Sequence, residues 1–143
     1  MERTNKKQVL FLCTGNACRS QMADGLINHD FAELIEAYSA GTQPHGLNST
    51  AVQVLAELGI DISANSSDHI SQYADQSFDY VITLCGEADQ ECPQFFGGVN
   101  RVHMGFDDPG KAIGNPAQIL ESFRQIRDLI RLQLGEYFRQ QLS

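Results

Sequence analysis

The chain has 143 residues, 42% hydrophobic and 20% charged, with 12 glycines, 4 prolines and no tryptophan, which suits one compact domain over 1–143. A net charge of −8 argues against a nucleic-acid or anionic-membrane surface, though not against a small anion, whose binding depends on local donors. The basic start MERTNKKQVLFL carries only Val9–Leu12 as its apolar run, short of the roughly 7–15 residues of a signal peptide. No run approaches the ~20 apolar residues of a membrane span, so a soluble cytoplasmic protein is expected.

In chain order, Gln8–Cys13 is an apolar run of strand length, and Arg19–Asn28 carries Met22, Leu26 and Ile27 at helical spacing. Leu34–Ala40 is a weaker strand. Ser49–Leu58 starts on a serine suited to capping, carries Ala51, Val52, Val54, Leu55 and Leu58, and stops at Gly59. Asp79–Cys85 and Asn100–Met104 read, like Gln8–Cys13, as strands buried on both faces. Gly97-Gly98, Asp108-Pro109-Gly110 and Asn115-Pro116 are loop signals. Ile119, Phe123, Ile126, Ile130, Leu134 and Phe138 then recur three or four apart, as in an amphipathic helix.

Strands alternating with helices predict an α/β fold with a parallel sheet covered on both faces. Ligands of such sheets bind beyond the carboxyl ends of the strands. Cys13 and Cys85 each end a strand, and Asp107 and Asp108 closely follow a third. A parallel sheet brings all of them to one edge.

Between the first strand and the first helix lies Cys13-Thr14-Gly15-Asn16-Ala17-Cys18-Arg19-Ser20. Small residues there let backbone N–H groups converge, and with a helix N-terminus they form a nest for a tetrahedral oxyanion. Gly15 relaxes the backbone, Asn16 tolerates left-handed conformations and Ala17 limits bulk. Arg19 can present a bidentate fork to the anion. Cys13 beside that dipole and guanidinium suits a nucleophile, since such surroundings lower a thiol pKa from about 8.5 to between about 3.5 and 7.5. Ser20 is placed to hydrogen-bond its sulfur, and Cys18 to shape the loop. Asp108, before Pro109, is the candidate proton donor, its carboxyl raised by a nearby anion, with Asp107 as the rival.

The four cysteines are Cys13, Cys18, Cys85 and Cys92. A zinc site prefers pairs two to four residues apart and would consume the loop that Arg19 serves. A permanent Cys85–Cys92 staple disagrees with a reducing compartment. A transferable disulfide remains: Cys85 attacks the sulfur of an adduct on Cys13, and Cys92 attacks the disulfide that results. His29, His45, His69 and His103 lack ligand spacing and read as structural or solvent-exposed.

FLCTGNACRSQMADG, YSAG, HGLN, GIDIS, VITLCG, Cys92 and GFDDP together resemble the thioredoxin-coupled arsenate reductases, built on the low-molecular-weight tyrosine phosphatase fold. The resemblance runs over nearly the whole chain. It implies a four-stranded parallel sheet in order 2-1-3-4 with helices on both sides. It implies that Cys13 attacks arsenate held by the loop amides and Arg19, and that Asp108 protonates the leaving oxygen. Cys85 then forms a disulfide with Cys13 and expels arsenite, and Cys92 resolves it for reduction by thioredoxin or glutaredoxin. The relay requires no cofactor, and the protein is expected to be a monomer. Asn16, Asp24, Ser39, Ser66 and Asp68 resemble a potassium site of some relatives, in which Glu often stands for Asp24 and Thr for Ser66. Two other readings stay open. A tyrosine phosphatase would use Cys13, Arg19 and Asp108 through a phosphocysteine, and a metal or arsenite binder would use the cysteines as ligands.

Overall fold

The computed structural model describes residues 6–15, 18–73, 75–84, 100–109 and 112–142. Strand β1 (Lys7–Leu12) leads into helix α1 (Arg19–Asp30), followed by β2 (Ile35–Ala40) and α2 (Ser49–Ala56). A 3-10 turn (Ile70–Tyr73), β3 (Tyr80–Thr83), β4 (Asn100–His103) and the long α3 (Pro116–Gln141) complete the described elements. The sheet order is β2-β1-β3-β4, and every neighbouring pair is parallel. Four-strand topology and order match the sequence expectation.

Alternation along β1 explains its unbroken apolar run. Val9 and Phe11 join the core with Met22, Leu26 and Ile27 of α1, Val54 and Leu55 of α2, and Phe123, Ile130, Leu134 and Phe138 of α3. Leu10 and Leu12 face the opposite side, with Ala40, Val81, Ile70 and Phe78. A central parallel strand therefore buries both of its faces. At the edge, β4 departs from the expected burial: Asn100, Arg101 and His103 are exposed, because β4 pairs with β3 alone in the described sheet.

Two helix starts also differ from the sequence expectation. The cap of α2 is Asn48 rather than Ser49, its side chain accepting from the N–H of Thr50 and Ala51 at 2.8 and 3.1 Å; asparagine caps as well as serine does. Asn115-Pro116 opens α3 instead of looping before it: Asn115 and Gln118 form a reciprocal capping box, with Pro116 in the first turn. Periodicity hides this because the first apolar residue of the buried stripe lies further on, at Ile119. In α1, Gly25 permits close packing, since a Cβ there would stand 2.6 Å from Leu55 Cδ1 and 2.7 Å from Ile62 Cγ2. No described helix is long and apolar enough to cross a membrane.

Candidate active site

Register brings those of the sequence-predicted residues that are described to one edge of the sheet. Leu12 is level with Ala40 and Thr83, and Thr83 with His103, so the segments that follow emerge along one edge. The ladder continues past the strands: the Cys13 N–H donates to the Ala40 carbonyl at 3.2 Å, Leu84 to Leu12 at 2.8 Å, and Phe106 to Leu84 at 3.1 Å. Cys13 is thereby held at the sheet rim, 3% exposed and packed with Ala40, Ile70 and Phe78.

Arg19 opens α1 and its guanidinium reaches across to the segment after β4. Its Nη1 donates to the Phe106 carbonyl at 2.9 Å, and its Nη2 lies 3.6 Å from Asp108 Oδ2. Its Nε is buried and has no hydrogen-bond partner among the described residues. Orphaned buried donors are rare and costly, and a tetrahedral oxyanion would satisfy this one. Nε and Nη2 form the edge of the guanidinium that grips two oxygens at once. Asp108 is the carboxylate at this site, whereas Asp107 is exposed, which favours Asp108 for the acid role. The Phe106 carbonyl, a main-chain group, has no signature in the sequence.

Cys18 occupies the N-cap position of α1 without a side-chain cap, and its carbonyl accepts the first helical bond, from Met22 at 2.8 Å. Burial pushes its thiol up to about 12; the Asp108 carboxylate adds to this and Arg19 opposes it. Its burial at the start of α1 is compatible with the packing or loop-shaping role expected for it. Ser20 is fully buried in the first turn of α1. Asn16, Ala17, Cys85 and Cys92 lie outside the described residues.

A second segment steadies the start of the loop. The Gln43 N–H donates to the Thr14 carbonyl at 2.8 Å and the His45 N–H to the Gly15 carbonyl at 2.9 Å. Ser67 Oγ adds a bond to the Gly15 carbonyl at 3.3 Å. A trans peptide sets N–H opposite C=O, so tying the Thr14 carbonyl to this strap turns the Gly15 N–H away from it. Of these partners, only the HGLN stretch stands out in the sequence, and without a role.

Beside β2 lies a polar hollow of about 140 Å³ lined by Asp24, Ser39, Asn65, Ser66, Asp68 and Tyr73, among others. Ser39 Oγ and Asn28 Nδ2 donate to Asp24 at 3.1 and 2.6 Å, and Ser66 Oγ and Tyr73 Oη donate to Asp68 at 2.7 and 3.2 Å. Burial pushes the Asp24 carboxyl up to about 7 against both of its donors, with Asp68 adding to the rise. Among the described residues no group of three His, Cys, Asp or Glu side chains could hold a metal ion.

The family model for low molecular weight phosphotyrosine protein phosphatases matches residues 8–143. The chain belongs to this family. Among its relatives in the phosphatase family is an arsenate reductase of Halalkalibacterium halodurans, 48% identical over 126 residues, or 88% of this chain and 91% of that protein. A solved arsenate reductase in the phosphate-binding state superposes with a TM-score of 0.79 at 32% identity, over 94% of this chain and 98% of that one. A thioredoxin-dependent arsenate reductase of Corynebacterium glutamicum gives 0.69 at 28% identity, over 94% of this chain and 63% of that one. Within the phosphatase family the chain therefore stands with the arsenate reductases.

Proposed function

We propose that this protein reduces arsenate to arsenite through Cys13, Cys85 and Cys92 and is regenerated by thioredoxin, acting as a cytoplasmic monomer. The observation that carries the reading is the buried Arg19, whose Nε lacks a partner among the described residues and whose Nη2 faces Asp108, at the loop that Cys13 begins. The Cys13 thiolate attacks arsenic, and one arsenate oxygen leaves as water with a proton from Asp108. The Cys85 thiolate then attacks Cys13 Sγ. As that S–S bond forms, the S–As bond breaks and its electron pair stays on arsenic, which departs as arsenite. Cys92 attacks Cys85 Sγ and frees Cys13 as thiolate, and a dithiol supplies two electrons to the Cys85–Cys92 disulfide.

An all-oxygen donor set around a desolvated carboxylate suits potassium, and Asp24, Ser39, Ser66 and Asp68 would hold it. The ion would offset the buried charge of Asp24; the relay does not pass through it.

The test is a single turnover of fully reduced protein with arsenate, followed by disulfide mapping by mass spectrometry. One arsenite and one Cys85–Cys92 bond per chain are expected. Cys85→Ser and Cys92→Ser should each abolish arsenate turnover and leave aryl-phosphate hydrolysis intact. Four free thiols in a sample that hydrolyses aryl phosphate would instead make it a phosphatase, which the family description also allows.

A further inference from the structure

α1 begins in the candidate active site at Arg19 and ends at Asp30, about 17 Å along the helix. Against that far end lies a hollow of about 570 Å³, between Asp30, Phe31 and one side of α3. Small-molecule sites have about this size, roughly 300–1,000 Å³. The α3 wall is a stripe of Asp128, Leu132, Gly135 and Arg139, three or four residues apart, with Arg131 beside it. It runs next to the buried stripe of Ile130, Leu134 and Phe138 without belonging to it. Phe31 forms one apolar wall, half-buried with its ring centre 5.9 Å from that of Phe138. Leu132 forms another and is 56% exposed.

The charges around the hollow are paired off except one. Arg131 holds Asp30 through two hydrogen bonds of 2.8 Å, and Arg127 donates to Asp128 at 2.8 Å. Arg139 makes no ion pair with a described residue. A cation in the last turn of a helix is favoured in any orientation, so its place in the sequence says nothing of a ligand. Its direction does. A Cβ on Gly135 would stand 3.2 Å from Arg139 Nη1 and 3.8 Å from Cζ and Nη2. The guanidinium is thus folded back one turn, over bare helix backbone at the floor of the hollow. Glycine inside a helix costs about 1 kcal/mol relative to alanine; here it leaves the guanidinium its room.

We propose that this hollow binds a small amphipathic monocarboxylate, its carboxylate on the fork of Arg139 and its apolar body between Phe31 and Leu132. A planar guanidinium matches a carboxylate through two parallel hydrogen bonds. Asp30 and Asp128 stand in the same walls and oppose a second negative charge, which disfavours a phosphate dianion. The ligand therefore differs in chemistry from the oxyanion proposed for the loop at the other end of α1.

This site stands whether or not the chain reduces arsenate. The experiment titrates octanoate, octanol and inorganic phosphate into the isotopically labelled full chain and follows the amide NMR shifts, with thermal unfolding confirming that each variant folds. Octanoate is expected to shift the amides of Phe31, Leu132 and Gly135, with octanol binding there about tenfold more weakly. Arg139→Gln should weaken octanoate about tenfold and change octanol by no more than about twofold, because only the charged acceptor loses its partner. Leu132→Ser should weaken both. No shift at these amides, or an Arg139→Gln variant in which octanoate and octanol are equally affected, overturns the proposal. So does phosphate shifting the same amides as strongly as octanoate. Shifts there that grow with protein concentration alone would assign the hollow to a second copy of the chain and overturn it as well.

Discussion

Asp24 gives the sharpest quantitative prediction. Its carboxyl rises from 3.8 to about 7 in the folded protein, so on raising the pH the unfolded chain loses that proton first. Stability contributed by Asp24 is therefore greatest below about pH 4, falls as the pH rises from about 4 to 7, and is level above that. About two pH units of the fall lie between pH 5 and 7; at about 1.4 kcal/mol per unit this comes to about 3 kcal/mol, a figure that water entering the hollow lowers. Asp24→Asn removes the charge while keeping both partners: its carbonyl can accept from Asn28, whose own carbonyl is fixed by the Ala37 N–H at 2.8 Å, and its amide can donate to Ser39. Urea unfolding of both proteins at pH 5 and pH 8 in tetramethylammonium salts measures the difference, in which the titrations of groups not coupled to Asp24 cancel. The unaltered protein should lose about 3 kcal/mol more than Asp24→Asn across that interval. Potassium added at pH 8 should restore part of the loss in the unaltered protein and none in the variant. Parallel pH profiles for the two proteins would refute the reasoning, and equal stabilisation of both by potassium would place the ion elsewhere.

Two further predictions concern the residues around the loop. Among the described residues Thr42 Oγ1 is buried without a hydrogen-bond partner, so Thr42→Val, which keeps the shape, should stabilise the protein by about 1 kcal/mol and raise the melting temperature by about 3 °C; a lower melting temperature would show that the hydroxyl is bonded in solution. Cys18, with its thiol near 12, should react with iodoacetamide in the native protein at pH 8 about a thousandfold more slowly than a free thiol, as read by peptide mapping. Labelling of Cys18 at an ordinary rate would contradict its neutral, packed state.

The parts of the molecule governed by local pattern are legible in the amino-acid order. β1 and β3 announce themselves as apolar runs because both strands are buried on two faces, and α3 shows its stripe because only one face of it is covered. The loop from Cys13 to Arg19 is legible for a related reason. Cradling an oxyanion demands small residues, a glycine and an arginine in a short span of chain, so the constraint is written contiguously. Caps are less legible: Asn48, Ser49 and Asn115 are all competent capping residues, and the choice among them depends on where the preceding chain enters the helix.

Contacts distant in sequence are decided by the fold alone. Arg19 bonds the Phe106 carbonyl 87 positions away, and a carbonyl carries no residue-specific signal. His45 looks like the three other histidines until the β2–β1 ladder, continued through Gln43 and Thr14, lays its ring on Gly15. Asp24 has the composition of an ordinary helical carboxylate, and its rise to about 7 comes from burial against β2 beside Asp68. The amino-acid order thus determined which chemistry is proposed for the loop, because the residues that chemistry needs are contiguous. Which groups surround the loop, and which charges are stripped of water, was settled by the parallel register that stacks the ends of separate strands on one edge.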